Sequence, residues 1–138
     1  MSTQWVLVID DDCDIREILS KWLEDAGFKV VSADGVPEGM VKLDNQRFDC
    51  VLLDMNLGKH SGEQILEYMD NQRHGKNADT PVLLASGNLH AELVVKLKGR
   101  VTTMLVKPFQ PEMLVERVSA ILAAGRATIQ DDEELRAA

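Results

Sequence analysis

Positive charge is scarce in this chain. Its 138 residues carry 15 lysines and arginines against 23 aspartates and glutamates, a formal net charge of -8. That balance argues against direct binding to nucleic acid or to an anionic membrane, since phosphate contacts require a basic face. Cysteine is equally sparse. Cys13 and Cys50 stand far apart and match no CxxC or zinc spacing, so they read as free thiols in a reducing compartment. The opening residues MSTQ lead straight into an apolar run, without the charged-then-apolar pattern of a signal segment. No apolar run approaches the ~20 residues that cross a bilayer. The three histidines, His60, His74 and His90, are isolated from one another and lack metal-ligand spacing. These absences leave an acidic, soluble chain, expected in the cytoplasm.

What is present is the composition of one folded domain. The length fits a single core, and 45% apolar with 28% charged residues is a globular balance. Five short apolar runs, WVLVI (5–9), KVVSA (29–33), CVLLD (50–54), PVLLA (81–85) and TTMLV (102–106), alternate with helical patterns. Three of the runs are almost continuously apolar, as strands covered on both faces must be. Between them the period becomes 3.6. Ile15, Ile18, Leu19, Trp22, Leu23 and Ala26 mark a first helix closed by Gly27, and Pro37 suits the first turn of a second. Ile65, Leu66 and Met69 mark a third helix. Leu89, Leu93, Val94 and Leu97 mark a fourth ending near Gly99, and a fifth starts at Pro111 and runs to Gly125. Five such units predict an α/β fold, a doubly wound five-stranded parallel sheet flanked by five helices. Residues 1–125 form the domain, and 126–138 an acidic tail.

The residues that follow the strands carry the chemistry. Strand one ends in Asp10-Asp11-Asp12, strand three in Asp54, strand four in Ser86-Gly87 and strand five in Lys107-Pro108. Parallel strands end along one edge, where open α/β sheets bind ligands, so these residues are expected to share one cleft. Two carboxylates ~4 Å apart repel by roughly 4 kcal/mol at an effective dielectric near 20. Three or more therefore require a proton or a cation. Hard oxygen ligands favour Mg²⁺, and Lys107 supplies a charge for Asp54 or for an incoming anion. A cation, a lysine and a hydroxyl around one carboxylate can stabilise phosphoryl oxygens, and a carboxylate attacking phosphorus yields an aspartyl phosphate.

Together the segments VLVIDDDCDIREIL, DCVLLDMNLGKHSG, TPVLLASGN and VKPF resemble the response-regulator receiver domain of two-component signalling, across roughly residues 5–124. The resemblance implies a flavodoxin-like fold with Asp54 as phosphoacceptor. Asp11 would bind Mg²⁺ directly, Asp10 mainly through water, and Asn56 through its backbone carbonyl. Ser86 would be the hydroxyl that reorients to the phosphoryl group, and Lys107 the lysine that neutralises it, with a cis bond to Pro108. Gly62 matches the glycine after the long loop. A sensor histidine kinase or histidine phosphotransfer protein would be the donor. A downstream protein would read the face of the fourth helix, fifth strand and fifth helix, and the chain would catalyse only its own phosphorylation and dephosphorylation. Asn56 and Asn88, two positions past Asp54 and Ser86, would flank the attacking water in dephosphorylation.

Two positions depart from the family's pattern. Gly58 replaces a common proline four residues after Asp54, which predicts a more mobile loop over Leu57–Ser61. Met104 stands three residues before the lysine, where the family carries its aromatic switch. Methionine changes rotamer readily but has no ring. A Mg²⁺-dependent aspartyl-phosphate phosphohydrolase would share the nucleophile, but it commonly needs a second acid where Asn56 stands, and no cap insertion is visible. A non-switching receiver-fold scaffold would share the fold and need none of the acidic site. Asp12 and Asp14 read as first-turn helix residues, and Trp5 and Trp22 as packing residues.

Overall fold

The computed structural model describes residues 3–72 and 75–137, with side chains described as far as Ala124. Five parallel strands form the main sheet. They are β1 (Trp5–Ile9), β2 (Lys29–Ala33), β3 (Cys50–Asp54), β6 (Val82–Ser86) and β7 (Thr103–Val106), in the order β2-β1-β3-β6-β7. Two short strands, β4 (Asn56–Leu57) and β5 (His60–Ser61), pair antiparallel in the loop after β3. The helices are α1 (Cys13–Asp25), α2 (Val36–Asn45), α3 (Glu63–Asn71), α4 (Ala91–Leu97) and α5 (Pro111–Ala137). Among the described residues, no helix is long and apolar enough to cross a membrane.

Alternation along each strand divides the interior in two. Leu7 and Ile9 of β1, Val51 and Leu53 of β3 and Leu84 of β6 face α2, α3 and α4. They pack with Leu43, Ile65, Leu66, Leu93 and Leu97. Their neighbours Val6, Val8, Leu52, Leu83 and Leu105 face α1 and α5, against Leu19, Leu23, Leu114, Val118 and Ile121. A period of two thus gives each central strand two apolar faces. That is why these runs carry so little polar alternation.

Local signals place the helices. The Asp12 carboxylate caps α1, accepting from the amides of Asp14 at 2.9 Å and Ile15 at 3.2 Å. Gly27, at φ +99°, ends it in the left-handed region that glycine adopts without penalty. Pro37 lies in the first turn of α2, and Pro111 opens α5. Helix α5 runs through Gly125 to Ala137, past the expected stop and into the acidic segment. One interior glycine costs a helix about 1 kcal/mol, and the residues after it are mostly good helix formers. The fourth long strand begins at Val82 rather than Pro81, since proline offers no amide to the ladder.

Two loops set the backbone at the two ends of β3. Asn77, buried, donates its amide to the carbonyls of Leu43 (2.7 Å) and Gln46 (2.8 Å) and accepts from the Phe48 amide (2.8 Å). It thereby fixes the entry to β3. The loop leaving β3 folds back so closely that Gly62 donates to the Met55 carbonyl at 2.8 Å. A Cβ on Gly62 would lie 2.6 Å from the Asp54 carbonyl oxygen and 3.2 Å from Met55 Cα. Neither is a flexible group that can yield. Gly62→Ala is expected to lose about 1–3 kcal/mol of stability in denaturant unfolding. An unchanged unfolding midpoint would show that the loop moves aside freely.

Candidate functional site

The strand order reverses direction at β1 and β3, which are adjacent and in parallel register from Val6 opposite Cys50 to Ile9 opposite Leu53. At such a reversal the connections leave on opposite sides and open a crevice at the carboxyl edge. Asp10 follows β1 and Asp54 ends β3. One carboxylate oxygen from each of Asp10, Asp11 and Asp54 lies within 4.8 Å of the others. Asp10 and Asp54 are buried, while Asp11 is exposed.

Lys107, just beyond β7, reaches back over this cluster. Its ammonium lies 2.9 Å from Asp10 Oδ2 and 3.3 Å from Asp54 Oδ2. The Lys107-Pro108 bond is cis. The other oxygens of the two acids are held by backbone. Asp10 Oδ1 accepts from the Asp12 amide at 2.9 Å, and Asp54 Oδ1 from the Asn56 amide at 3.2 Å. Ser86 ends β6, buried, with its hydroxyl turned into its own loop. It donates to the Asn88 carbonyl at 3.3 Å and accepts from the Asn88 amide at 3.2 Å. The residues marked out in the sequence therefore do converge on one edge, with the Ser86 hydroxyl bonded to Asn88.

The model of the response regulator receiver domain family matches residues 6–119. The chain belongs to that family. The phosphate regulon transcriptional regulatory protein PhoB of Escherichia coli is 30% identical over 118 residues, covering 85% of this chain and 51% of that protein. The transcriptional regulatory protein PrrA of Mycobacterium leprae is 33% identical over 138 residues, covering 97% and 56%. The chain thus spans about half the length of the curated relatives it matches. Among solved structures, the chemotaxis protein CheY4 of Vibrio cholerae superposes with a TM-score of 0.78 at 31% identity, covering 88% of this chain and all of that one.

This receiver domain contains several contacts that its sequence did not announce. Arg16 donates to the Asp10 carbonyl at 2.8 Å, tying α1 to the loop that carries the acids. Its only sequence signal is a cation in the first turns of a helix, where the dipole disfavours it. Gly58 occupies φ +66° at the turn between β4 and β5. A Cβ there would stand 3.9 Å from Asp11 Oδ2, so the hairpin tip lies beside the acidic cluster. Proline, fixed near φ -65°, could not take this turn. His90 is exposed and also caps α4, accepting from the Leu93 amide at 3.2 Å through Nδ1. His60 is exposed on β5, and His74 lies outside the described residues. Trp22 packs edge-on to Phe109 with ring centroids 6.5 Å apart. Met104 is half-buried beside the core that α4 covers.

Burial pushes the Asp54 carboxyl above the usual carboxylate range, and Asp10 adds to the rise, while Lys107 opposes it. Burial works against the Lys107 ammonium too, yet its contacts with Asp10 and then Asp54 outweigh this and leave its pKa raised. Burial also pushes the Cys50 thiol up to about 12, so it stays protonated. For Asp54 the linkage has a definite sign. The folded state binds its proton more tightly than the unfolded chain, so the carboxylate costs stability above its folded pKa and the cost fades as pH falls through it. Without added metal, Asp54→Asn is expected to melt a few degrees higher than the unmodified chain at pH 7. The gap should close as the pH is lowered below Asp54's folded pKa. Thermal melts across that range check this, and an Asn variant less stable at pH 7 contradicts it.

Proposed function

We propose that Asp54 accepts a phosphoryl group from a phosphohistidine of a sensor kinase or phosphotransfer protein. The proposal extends to a signal carried by the face of α4, β7 and α5 to a downstream protein in the cytoplasm. The observation that supports this best is Lys107 bridging Asp10 and Asp54 at 2.9 and 3.3 Å. One nucleophile is buried beside a cation that can follow the incoming charge. In the transfer, an Asp54 carboxylate oxygen forms the bond to phosphorus as the phosphorus–nitrogen bond breaks. The bonding pair stays on the imidazole nitrogen of the donor. Lys107 then pairs with a phosphoryl oxygen, and the Ser86 hydroxyl leaves the Asn88 carbonyl to donate to another.

The donor set fits Mg²⁺. Asp10, Asp11 and Asp54 offer clustered carboxylates, and the Asn56 backbone carbonyl would complete a hard oxygen environment. When bound, the ion would neutralise phosphoryl charge that three carboxylates otherwise repel. A Burkholderia pseudomallei response regulator with a phosphorylated aspartic acid and a calcium ion superposes on this chain with a TM-score of 0.73 at 26% identity, over 96% of this chain and 74% of that one. That likeness supports both the aspartyl phosphate and a divalent cation here. Asn56 brings no acid to the site, which favours a stoichiometric acceptor over an enzyme turning over an external phosphate ester.

Intact mass after incubation with Mg²⁺ and a small acyl phosphate tests the reading. One added phosphoryl group is expected, absent in Asp54→Asn and absent without the metal. Lys107→Met should slow uptake by about 10²-fold. Uptake that persists in Asp54→Asn at the same rate would move the acceptor elsewhere.

A further inference from the structure

Helix α4 rests on a small apolar contact and carries an ionic tie on one flank. It buries Leu93 and Leu97, but Val94 and Val95 are 40% and 74% exposed. On the flank facing α3, Lys96 lies 2.9 Å from a Glu63 carboxylate oxygen, in the first turn of α3. Beyond the helix end, Arg100 donates twice to one oxygen of Asp70, at 2.8 and 3.1 Å. Lys96 and Glu63 also line a cavity of about 420 Å³ with Asn56, Ser86 and Asn88. Asn56 is bonded to Asp54, and Ser86 follows the Ala85 position that is in register with it. Lys96 is therefore a cation bordering the same opening as the residues that flank the phosphoacceptor, and Glu63 holds it.

We infer that Lys96 couples the phosphoryl group to α4: Glu63 holds it against α3 in the resting domain, and negative charge arriving at Asp54 competes with Glu63 for its ammonium. This rests on Asp54 being the phosphoacceptor. A phosphoryl group brings about -1.5 to -2 charges to the site that this cavity adjoins. Lys96 is 60% exposed and Glu63 22%, so their pair is worth little in stability. A weak tie suits a switch, because a modest competing field can break it. Drawing Lys96 toward the phosphoryl group leaves α4 attached by two leucines and the distal Arg100–Asp70 pair. Lys96 is thus a positioning residue, acting on α4 through the competition between two anions.

The two halves of the pair then behave differently when removed. Glu63→Gln frees Lys96 for the anion, whereas Lys96→Met removes both the tie and the attraction. Beryllofluoride with Mg²⁺, titrated against α4 amide shifts by NMR, reads both effects. Glu63→Gln is expected to bind the mimic two- to five-fold more tightly, with its free-state α4 shifts displaced toward the bound positions. Lys96→Met should bind no more tightly than the unmodified chain. Asp70→Asn, which breaks the distal pair, should leave affinity unchanged. Equal gains in Glu63→Gln and Lys96→Met, or a gain in Asp70→Asn, would reduce the effect to general loosening of α4 and overturn the inference. No change in Glu63→Gln would overturn it as well. Failure of the unmodified chain to bind the mimic, beside an Asp54→Asn control, would instead remove the phosphoacceptor reading, and this inference with it.

Discussion

Lys107 must satisfy two buried carboxylates at once, and the architecture of the carboxyl edge follows from that demand. Asp10 and Asp54 leave neighbouring strands and would repel each other strongly in a partly desolvated crevice. The compensating ammonium comes from beyond β7, the far edge of the sheet, and reaches past β6 to both acids. Every strand between must therefore be in place before the charges are balanced. The site is a consequence of the whole sheet being assembled, and no single loop could supply it. Even so the balance is incomplete, since the Asp54 carboxyl remains raised in pKa beside its cation. In the proposed function, a carboxylate held at some cost in a partly desolvated crevice would gain from a divalent cation and from transfer of its charge to a phosphoryl group.

The resting geometry keeps the responding groups occupied. Lys107 is paired, the Ser86 hydroxyl is engaged with Asn88, and Lys96 is paired with Glu63. In the proposed transfer, each partner is one that a phosphoryl group would displace by offering more negative charge or better acceptors. This makes the domain a set of exchangeable contacts rather than an empty pocket awaiting a ligand. Met104 fits such a scheme: half-buried beside the α4 core, it has the rotamer freedom to follow a moving helix without the volume of an aromatic ring.

Strands and site acids were legible in the sequence because their signals are strong and local. Three of the five apolar runs lack alternation and read as two-faced strands, and acids placed directly after parallel strands are expected to meet at one edge. The family's motifs then assigned roles that electrostatics alone left open. Less legible were contacts made by residues with no distinctive spacing. Asn77 looks like any loop asparagine until three backbone groups are seen to converge on it. His90 gives no capping signal in the sequence, because an N-cap is usually Ser, Thr, Asp or Asn. Gly58 signals conformational freedom in the sequence, but the left-handed turn it makes is visible only once β4 and β5 are paired. The length of α5 was missed because Gly125 was weighed as a terminator, whereas its neighbours' propensity carries the helix through.

The division of the core explains why α4, rather than α5, is suited to move. The proposed output face takes one helix from each side of the sheet. Helix α5 is anchored by Leu114, Val118 and Ile121, and α1 packs beside it in the same half of the core. Helix α4 contributes Leu93 and Leu97 to the other half. At about 1.5–3 kcal/mol for each fully buried leucine, the apolar hold on α4 is only a few kcal/mol, and a small displacement forfeits a fraction of that. A change of this size lies within reach of rearranged charge pairs, whereas extracting α5 would uncover Leu114, Val118 and Ile121 together. The asymmetry allows a change in charge at Asp54 to remodel one side of the output face while β1, β3 and the acids they position stay fixed.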